Sequence, residues 1–457
     1  MRSVPQHDIL HGPILKTMLR LGWPVMVASL LQTMYTLADT FWLGQLPASR
    51  DAVAALQISW PIIFFLLSLS IGFGSAGVAL VSQFSGAGRQ GDAERAAGQV
   101  LSLSLLLGAC IAVTGVLLSP FIVGSLGIEA EVSRLSEGYM RIIFVGIPFT
   151  FGTAAYGFLM RAYGDSFTPM LIEGTAVGLN ILVDPFLIYG WGPFPAWGVA
   201  GAAVATVITQ SLSAAAGMYL LSSDRVGLHI RRRHLRPDRA LIIKVIRIGV
   251  PASIGHSATG FGFFILMYVI ALLPNNTVAL AAYGVGDRII SLIFITINGL
   301  GEASCIMVGQ SLGARDSMRA SSVVRRGTTA MFLVLCTCAC AVFAFRGPIV
   351  GFFINDPEVV REGVRYLRYF LVGVPFFGIF SGVNAAFRGS GHTVPSMVLE
   401  VSRLWVLRIP LTYLLGIVLA RGAAGVWTGM ALSNVIGGLV AVAFITAIPW
   451  QRAVIDA

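Results

Sequence analysis

Apolar residues run along this chain in stretches of about 20 or more, and glycine, proline and clusters of charge separate them. In the first half the stretches lie near residues 14–43, 52–82, 96–120, 134–160, 169–190 and 197–221. In the second half they lie near 242–272, 278–310, 321–345, 361–387, 396–419 and 424–448. Each is long enough for a helix to cross the hydrocarbon core of a bilayer. The pattern predicts an all-α integral membrane protein of twelve spans, and the even number puts both termini on one side.

Arg and Lys choose that side. With the N-terminus in the cytoplasm, cytoplasmic segments and their flanks carry 20 basic residues and the opposite loops 8, with Arg288, Arg403 and Arg408 inside spans. Both termini are therefore expected in the cytoplasm, with the spans crossing the inner (plasma) membrane. Met1 to Pro13 is polar and has no short apolar stretch ending in a cleavage site, so the first span is expected to be retained.

Composition removes other classes. Of 457 residues 56% are apolar and 11% charged, against about a quarter charged in soluble domains. A soluble enzyme, a disulfide scaffold and a disordered chain are excluded. The net charge is +10, yet no stretch is polar enough for a nucleic-acid-binding face. The lysines, Lys16 and Lys244, follow Leu15 and Ile243, so there is no phosphate-binding P-loop. Gly72-Phe-Gly-Ser-Ala-Gly77 spells a dinucleotide fingerprint, but it lies in an apolar helix with no preceding strand and reads as close packing. Cys110, Cys305, Cys336, Cys338 and Cys340 read as membrane core. No histidine pair has metal-ligand spacing, and no Ser/His/Asp constellation is assignable. Neither an enzyme nor a cofactor is expected.

The two halves repeat. Arg20-Leu-Gly-Trp-Pro24 matches Arg247-Ile-Gly-Val-Pro251, and Gln83-Phe-Ser-Gly-Ala87 matches Gln310-Ser-Leu-Gly-Ala314. Glu131, Arg134, Tyr139, Arg141 and Pro148 match Glu358, Arg361, Tyr366, Arg368 and Pro375, and Arg161 to Gly164 matches Arg388 to Gly391, all offset by 227. Six helices per repeat keep one orientation, which implies a parallel repeat about an axis normal to the membrane. The expected organisation is an N-lobe (1–221), a cytoplasmic linker (222–241) and a C-lobe (242–457), two pseudo-symmetric six-helix lobes facing each other across a cleft. The linker, with Arg231, Arg232 and Arg233, reads as a solvated anchor attracted to anionic lipid.

Ionisable groups inside a bilayer are costly and face a cavity or a partner. Asp39 lies in span one. Asn180 and Asp184 lie four apart in span five, on one helix face and about 6 Å apart along the axis. Thr206 lies in span six. Counted from the span ends, Asp39, Asp184 and Thr206 sit about 9–14 Å below the outer boundary. One depth and four oxygen-bearing side chains in one lobe point to a single proton or cation site. Two carboxylates there do not both ionise cheaply, so they hold one proton or share a cation. The second half has Leu266, Trp405 and Ile409 opposite Asp39, Asn180 and Asp184, so it kept the scaffold and not the acids.

Other polar residues in the spans are secondary. Glu400 and Arg403 are three apart and can pair within a helix. Glu302 serves a cavity or pairs with Arg288, and the sequence leaves both open. His256 reads as a satisfied packing residue, and it stays with Glu302 and Asn384 as a secondary candidate.

Together these features resemble the MATE family (multidrug and toxic compound extrusion), and within it the DinF-like branch. Leu21-Gly-Trp-Pro24, Ala38-Asp39-Thr40, Gln83 to Gly88, Leu179 to Pro185 and Gly201 to Thr206 carry the resemblance over nearly the whole chain. It implies antiport, with H+ or Na+ entering as an amphipathic or cationic compound leaves by alternating access. It also implies that Asp39, Asn180, Asp184 and Thr206 form the N-lobe cation site, and that the first span bends at Pro24. The NorM-like branch instead uses acids in spans seven and ten. Here span ten has none and span seven offers only His256. A lipid-linked precursor flippase of the same superfamily is the alternative; such proteins tend to line their cavity with arginine. Small-molecule substrates, membrane lipid and a monomer are the expected partners and state.

Overall fold

The computed structural model describes residues 4–46, 49–125, 127–223 and 227–456; linker residues 224–226 lie outside them. Among the described residues every regular element is helical. The first half forms α1 (Gln6–His11), α2 (Ile14–Gly44), α3 (Ser49–Gly86), α4 (Gln90–Gly124), α5 (Ala130–Tyr163), α6 (Phe167–Tyr189) and α7 (Val199–Ser222). A turn of 3-10 helix (Arg232–Leu235) leads to α8 (Arg239–Ala271), α9 (Asn276–Gly313), α10 (Ser317–Ala344) and α11 (Arg346–Phe353). Then come α12 (Pro357–Phe370), α13 (Val374–Ser390), α14 (Thr393–Val401), α15 (Ile409–Tyr413) and α16 (Gly422–Ala447). Eleven helical runs are long and apolar enough to cross a membrane, and α12 with α13, bent by 53°, supplies the twelfth. Several helices outrun their apolar stretches: α3 continues past residue 82 to Gly86. Helical backbone bonds to itself, so nothing forces it to stop where lipid does.

The duplication is visible in the helix ends. α3 and α9 start and finish 227 residues apart, and so do α5 and the α12–α13 pair. Gly164 and Gly391 close the two equivalent helices with φ of 109° and 79°, a left-handed cap that a side chain would strain.

Two C-lobe spans depart from straight helices. α5 carries Pro148 without a break, whereas its counterpart bends ahead of Pro375. Pro375 brings no N–H to the helical ladder. Gly373 also sits so close to α16 that a Cβ there would lie 2.4 Å from the Ala431 carbonyl oxygen. The eleventh span interrupts its α-helix with π segments at Ser402–Arg408 and Leu414–Val418, on either side of α15 and its Pro410.

Two compact units emerge. One holds Met1–Val4 and Pro24–Ser253, the other Pro5–Trp23 and Ile254–Ala457. α2 runs through Pro24 as a continuous helix, and the division between units falls on that residue. The linker belongs to the first unit. Gln99 on α4 fastens it, its amide nitrogen donating to the His234 and Arg236 carbonyls at 2.8 Å each and its oxygen accepting from the Asp238 N–H at 3.1 Å. Arg231, Arg232 and Arg233 are exposed, as a lipid-facing anchor requires, but His234 is buried, so the segment is docked rather than freely solvated.

Within the first unit Leu43, Leu56, Ile63, Tyr139, Ile143, Ile188 and Val199 pack into a core around the Gly44 end of α2. Leu117 and Phe121 of α4 stay 72% and 76% exposed, an apolar surface that only lipid suits. α7 lies tight on α6, because a Cβ on Gly201 would stand 2.3 Å from the Leu187 carbonyl oxygen. Trp197 and Gly198 donate backbone N–H bonds to the Leu187 and Ile188 carbonyls, 3.0 Å each, which closes the end of α6. Gly201→Val is expected to force α7 off α6 and to destabilise the unit by about 1–3 kcal/mol. Thermal unfolding of the purified protein measures it, and an unchanged melting temperature would contradict the close approach.

Candidate cation site

Three helices of the first unit supply the site, two of them with a pair of side chains one turn apart. α2 supplies Tyr35 and Asp39, α6 supplies Asn180 and Asp184, and α7 supplies Thr206, whose hydroxyl bonds the Ala202 carbonyl one turn earlier. Spacing of four keeps each pair on one face. Asp39 and Asp184 both lie five residues before the end of their helix, and Thr206 lies seven after the start of its own. All three are therefore about 7–11 Å deep, close to the depth expected from span counting.

The two acids come together in the interior. Asp39 is 6% exposed, and Asn180 and Asp184 are fully buried. The Asn180 amide nitrogen donates to Asp184 Oδ1 at 3.3 Å. Turned by half a rotation, it donates to Asp39 Oδ1 at 3.3 Å and to Asp184 Oδ2 at 3.2 Å. The second orientation uses both protons of the amide, so hydrogen bonding favours it. Asn180 thus stands between the two carboxylates. Among the described residues no Arg, Lys or His pairs with either acid.

Tyr35 joins the fourth residue to the cluster. Its hydroxyl lies 2.6 Å from Thr206 Oγ1, while Thr206 donates to the Ala202 carbonyl at 3.0 Å. Tyr35 is also within hydrogen-bonding reach of Asp39. Tyr139 of α5 lies within electrostatic range of both carboxylates, and the Tyr189 hydroxyl donates to the Trp42 carbonyl, tying the end of α6 to α2. Tyr35 was not singled out from the sequence, and Tyr139 was read only as a marker of the repeat. The one available signal for Tyr35 was its place one turn before Asp39. The gathered donors are carboxylate, amide and hydroxyl oxygens, which suit a hard cation or a shared proton.

The secondary candidates resolve differently. Arg388 of α13 reaches Glu302 at 3.4 Å, both being largely buried. Glu400 is held by Asn384, whose amide donates to Glu400 Oε1 at 2.5 Å, and the Ser396 hydroxyl donates to Asn384. Arg403 therefore does not pair with it. The π segment beginning at Ser402 changes the helical register, and the Arg403 guanidinium rests on Phe377 and Phe380, 5.1 and 4.8 Å from their ring centres. His256 is half-buried rather than satisfied: it bonds to no described residue and lies in the field of Glu400, Arg388 and Glu302.

Residues 24–186 and 251–414, one stretch in each half, both match the family described as MatE. The chain belongs to the MatE family. It is 30% identical to the probable multidrug resistance protein YoeA of Bacillus subtilis (strain 168) over 413 residues, covering 89% of this chain and 88% of that protein. It is 26% identical to the probable multidrug resistance protein NorM of Thermotoga maritima over 441 residues, 96% of this chain and 94% of that one. A solved MATE in the straight conformation superposes with a TM-score of 0.90 at 25% identity, covering 98% of this chain and 99% of the other. The protein is thus a multi-pass membrane transporter and not an enzyme.

The MatE match begins at residues 24 and 251, which are again 227 apart. Yet the two halves differ where the acids stand: Leu266, the counterpart of Asp39, is fully buried hydrocarbon. Asn180→Leu keeps the shape and removes the bridging donor, which leaves the carboxylates unsatisfied at a cost of about 1–3 kcal/mol. Tyr35→Phe is expected to cost about 0.5–1.5 kcal/mol. Denaturation curves of the two variants beside wild type check this order, and an Asn180→Leu protein as stable as wild type would show that the amide bridges nothing.

Proposed function

We propose that this MatE chain is a cation-coupled antiporter of the DinF-like type, exporting amphipathic or cationic compounds by alternating access as H+ or Na+ enters. The observation that carries the reading is the buried Asp39–Asn180–Asp184 cluster, two carboxylates bridged by one amide. The names of the relatives, probable multidrug resistance proteins, support a drug-like substrate. The excess of basic residues in the loops on the side of the termini supports an inner membrane location with both termini cytoplasmic.

The chemistry follows from charge. Two carboxylates in a medium of low dielectric carry two charges only at high cost. A proton held between them removes one charge. Na+ takes its ligands from Asp39, Asn180, Asp184 and Thr206, oxygen donors on α2, α6 and α7. Either ion draws the three helices together, and its loss lets the carboxylates push apart. Pro24 removes one bond from the α2 ladder, which gives the helix a point at which it flexes. α2 is shared by both compact units, so a change of packing around Asp39 is passed along it.

Asp39→Asn and Asp184→Asn are each expected to abolish drug efflux while expression and folding persist. The decisive assay is uptake of a fluorescent cationic drug into proteoliposomes, with H+ and Na+ gradients imposed separately. Wild type should respond to at least one gradient and both variants to neither. Wild-type flux in both variants would remove this mechanism.

A further inference from the structure

The second unit contains a cavity of about 720 Å3 at its end away from the chain termini, lined from the 273–275 turn, α12 and the start of α16 with Arg421 before it. That volume lies in the range of small-molecule sites. Five arginines line it, Arg346, Arg361, Arg365, Arg368 and Arg421, against two acids, Glu358 and Glu362. These are five of the eight basic residues found in the loops and flanks on that side, the side where arginine is scarce in membrane proteins.

The sequence of α12 builds the cluster. Arg361, Arg365 and Arg368 are spaced four and three apart, so they share one helix face, while Val359, Tyr366, Leu367 and Phe370 are buried. Like charges at that spacing repel one another. The acids offset only part of this. Arg361–Glu358 and Arg365–Glu362 both stand at 3.6 Å; the first is a water-exposed pair, which binds weakly, and in the second Glu362 is largely buried. Glu362 is also held elsewhere, accepting the Trp427 indole N–H at 2.7 Å. Among the described residues neither Arg368 nor Arg421 pairs with an acid.

Two further segments bring cations to the same place. Arg346 stacks on Phe343 at 4.4 Å, and its Nε is buried without a partner. Arg421 follows Ala420, which holds φ at 50°, a left-handed backbone that costs a residue with a Cβ. The duplicated scaffold carries only part of the cluster: 227 positions earlier Arg134 and Arg141 match Arg361 and Arg368, but Ser119 stands for Arg346 and Gly138 for Arg365.

Guanidinium forks match the oxygens of phosphate groups. We propose that this cavity binds a phosphate-bearing anion, with Arg365, Arg368 and Arg421 as its principal donors. The phosphate comes either from the headgroup of an anionic lipid or from a soluble phosphate compound.

The test uses the full-length purified protein. Native mass spectrometry compares retention of phosphatidic acid with that of diacylglycerol carrying the same chains, and calorimetry titrates inorganic phosphate. Wild type should bind phosphatidic acid, phosphate or both. The Arg365→Gln/Arg368→Gln variant should bind at least about tenfold more weakly, while Arg141→Gln in the other half leaves binding unchanged. Binding of the lipid alone identifies a headgroup site, and binding of phosphate alone a soluble ligand. Arg421→Gln, a single change just before α16, provides the same reading if the double variant does not fold. The proposal is overturned if wild type prefers neither phosphate probe, or if these arginine variants bind as wild type does.

Discussion

Two carboxylates buried in one helical bundle, with a single amide between them and no basic partner, set the terms for the first half of this molecule. Water would separate and solvate such charges; a low-dielectric interior makes each feel the other. The surrounding structure is arranged around that contact. α2 and α6 carry their acids at equal distances from their ends. α7 reaches α6 closely because Gly201 has no side chain to hold it off, and this places Thr206 and its partner Tyr35 beside the acids. The bulky residues at the Gly44 end of α2 pack beside this end of the bundle.

Duplication supplied the frame but not the chemistry. Helix ends, left-handed glycine caps and the MatE match itself all recur at an interval of 227 residues. Around this shared frame each half placed its charges differently. The first sets two acids and an amide together and pairs Arg161 with Glu173. The second spreads its charges over Glu302–Arg388, Asn384–Glu400 and an arginine seated on two phenylalanines, and gathers arginines at its far end. Its helices are less regular too, with a 53° bend and two π segments.

What could be read beforehand follows the same division. Span positions, the repeat and the clustering polar residues Asp39, Asn180, Asp184 and Thr206 were legible because burial in lipid makes every polar residue conspicuous against an apolar background. The partners were less so. Tyr35 looks like any aromatic residue in a membrane helix until Thr206 is seen opposite it. Arg388 is 86 residues from Glu302 in sequence, and no helical period connects them. The expected Glu400–Arg403 pair assumed an uninterrupted α-helix, and the π segment at Ser402 breaks that assumption. The docked linker depends on Gln99, a polar residue in the first third of α4, with nothing local to mark its partner.

The central claim is that Asp39 and Asp184 act as one ion-binding unit. Infrared difference spectroscopy of the purified protein observes the protonated carboxyl directly. The account predicts a carboxylic-acid band at acid pH that is lost when both Asp39 and Asp184 are replaced by Asn, and that is shifted, not simply halved, by either replacement alone. Two independent half-bands, one removed cleanly by each variant, would show that the acids titrate separately and would contradict it.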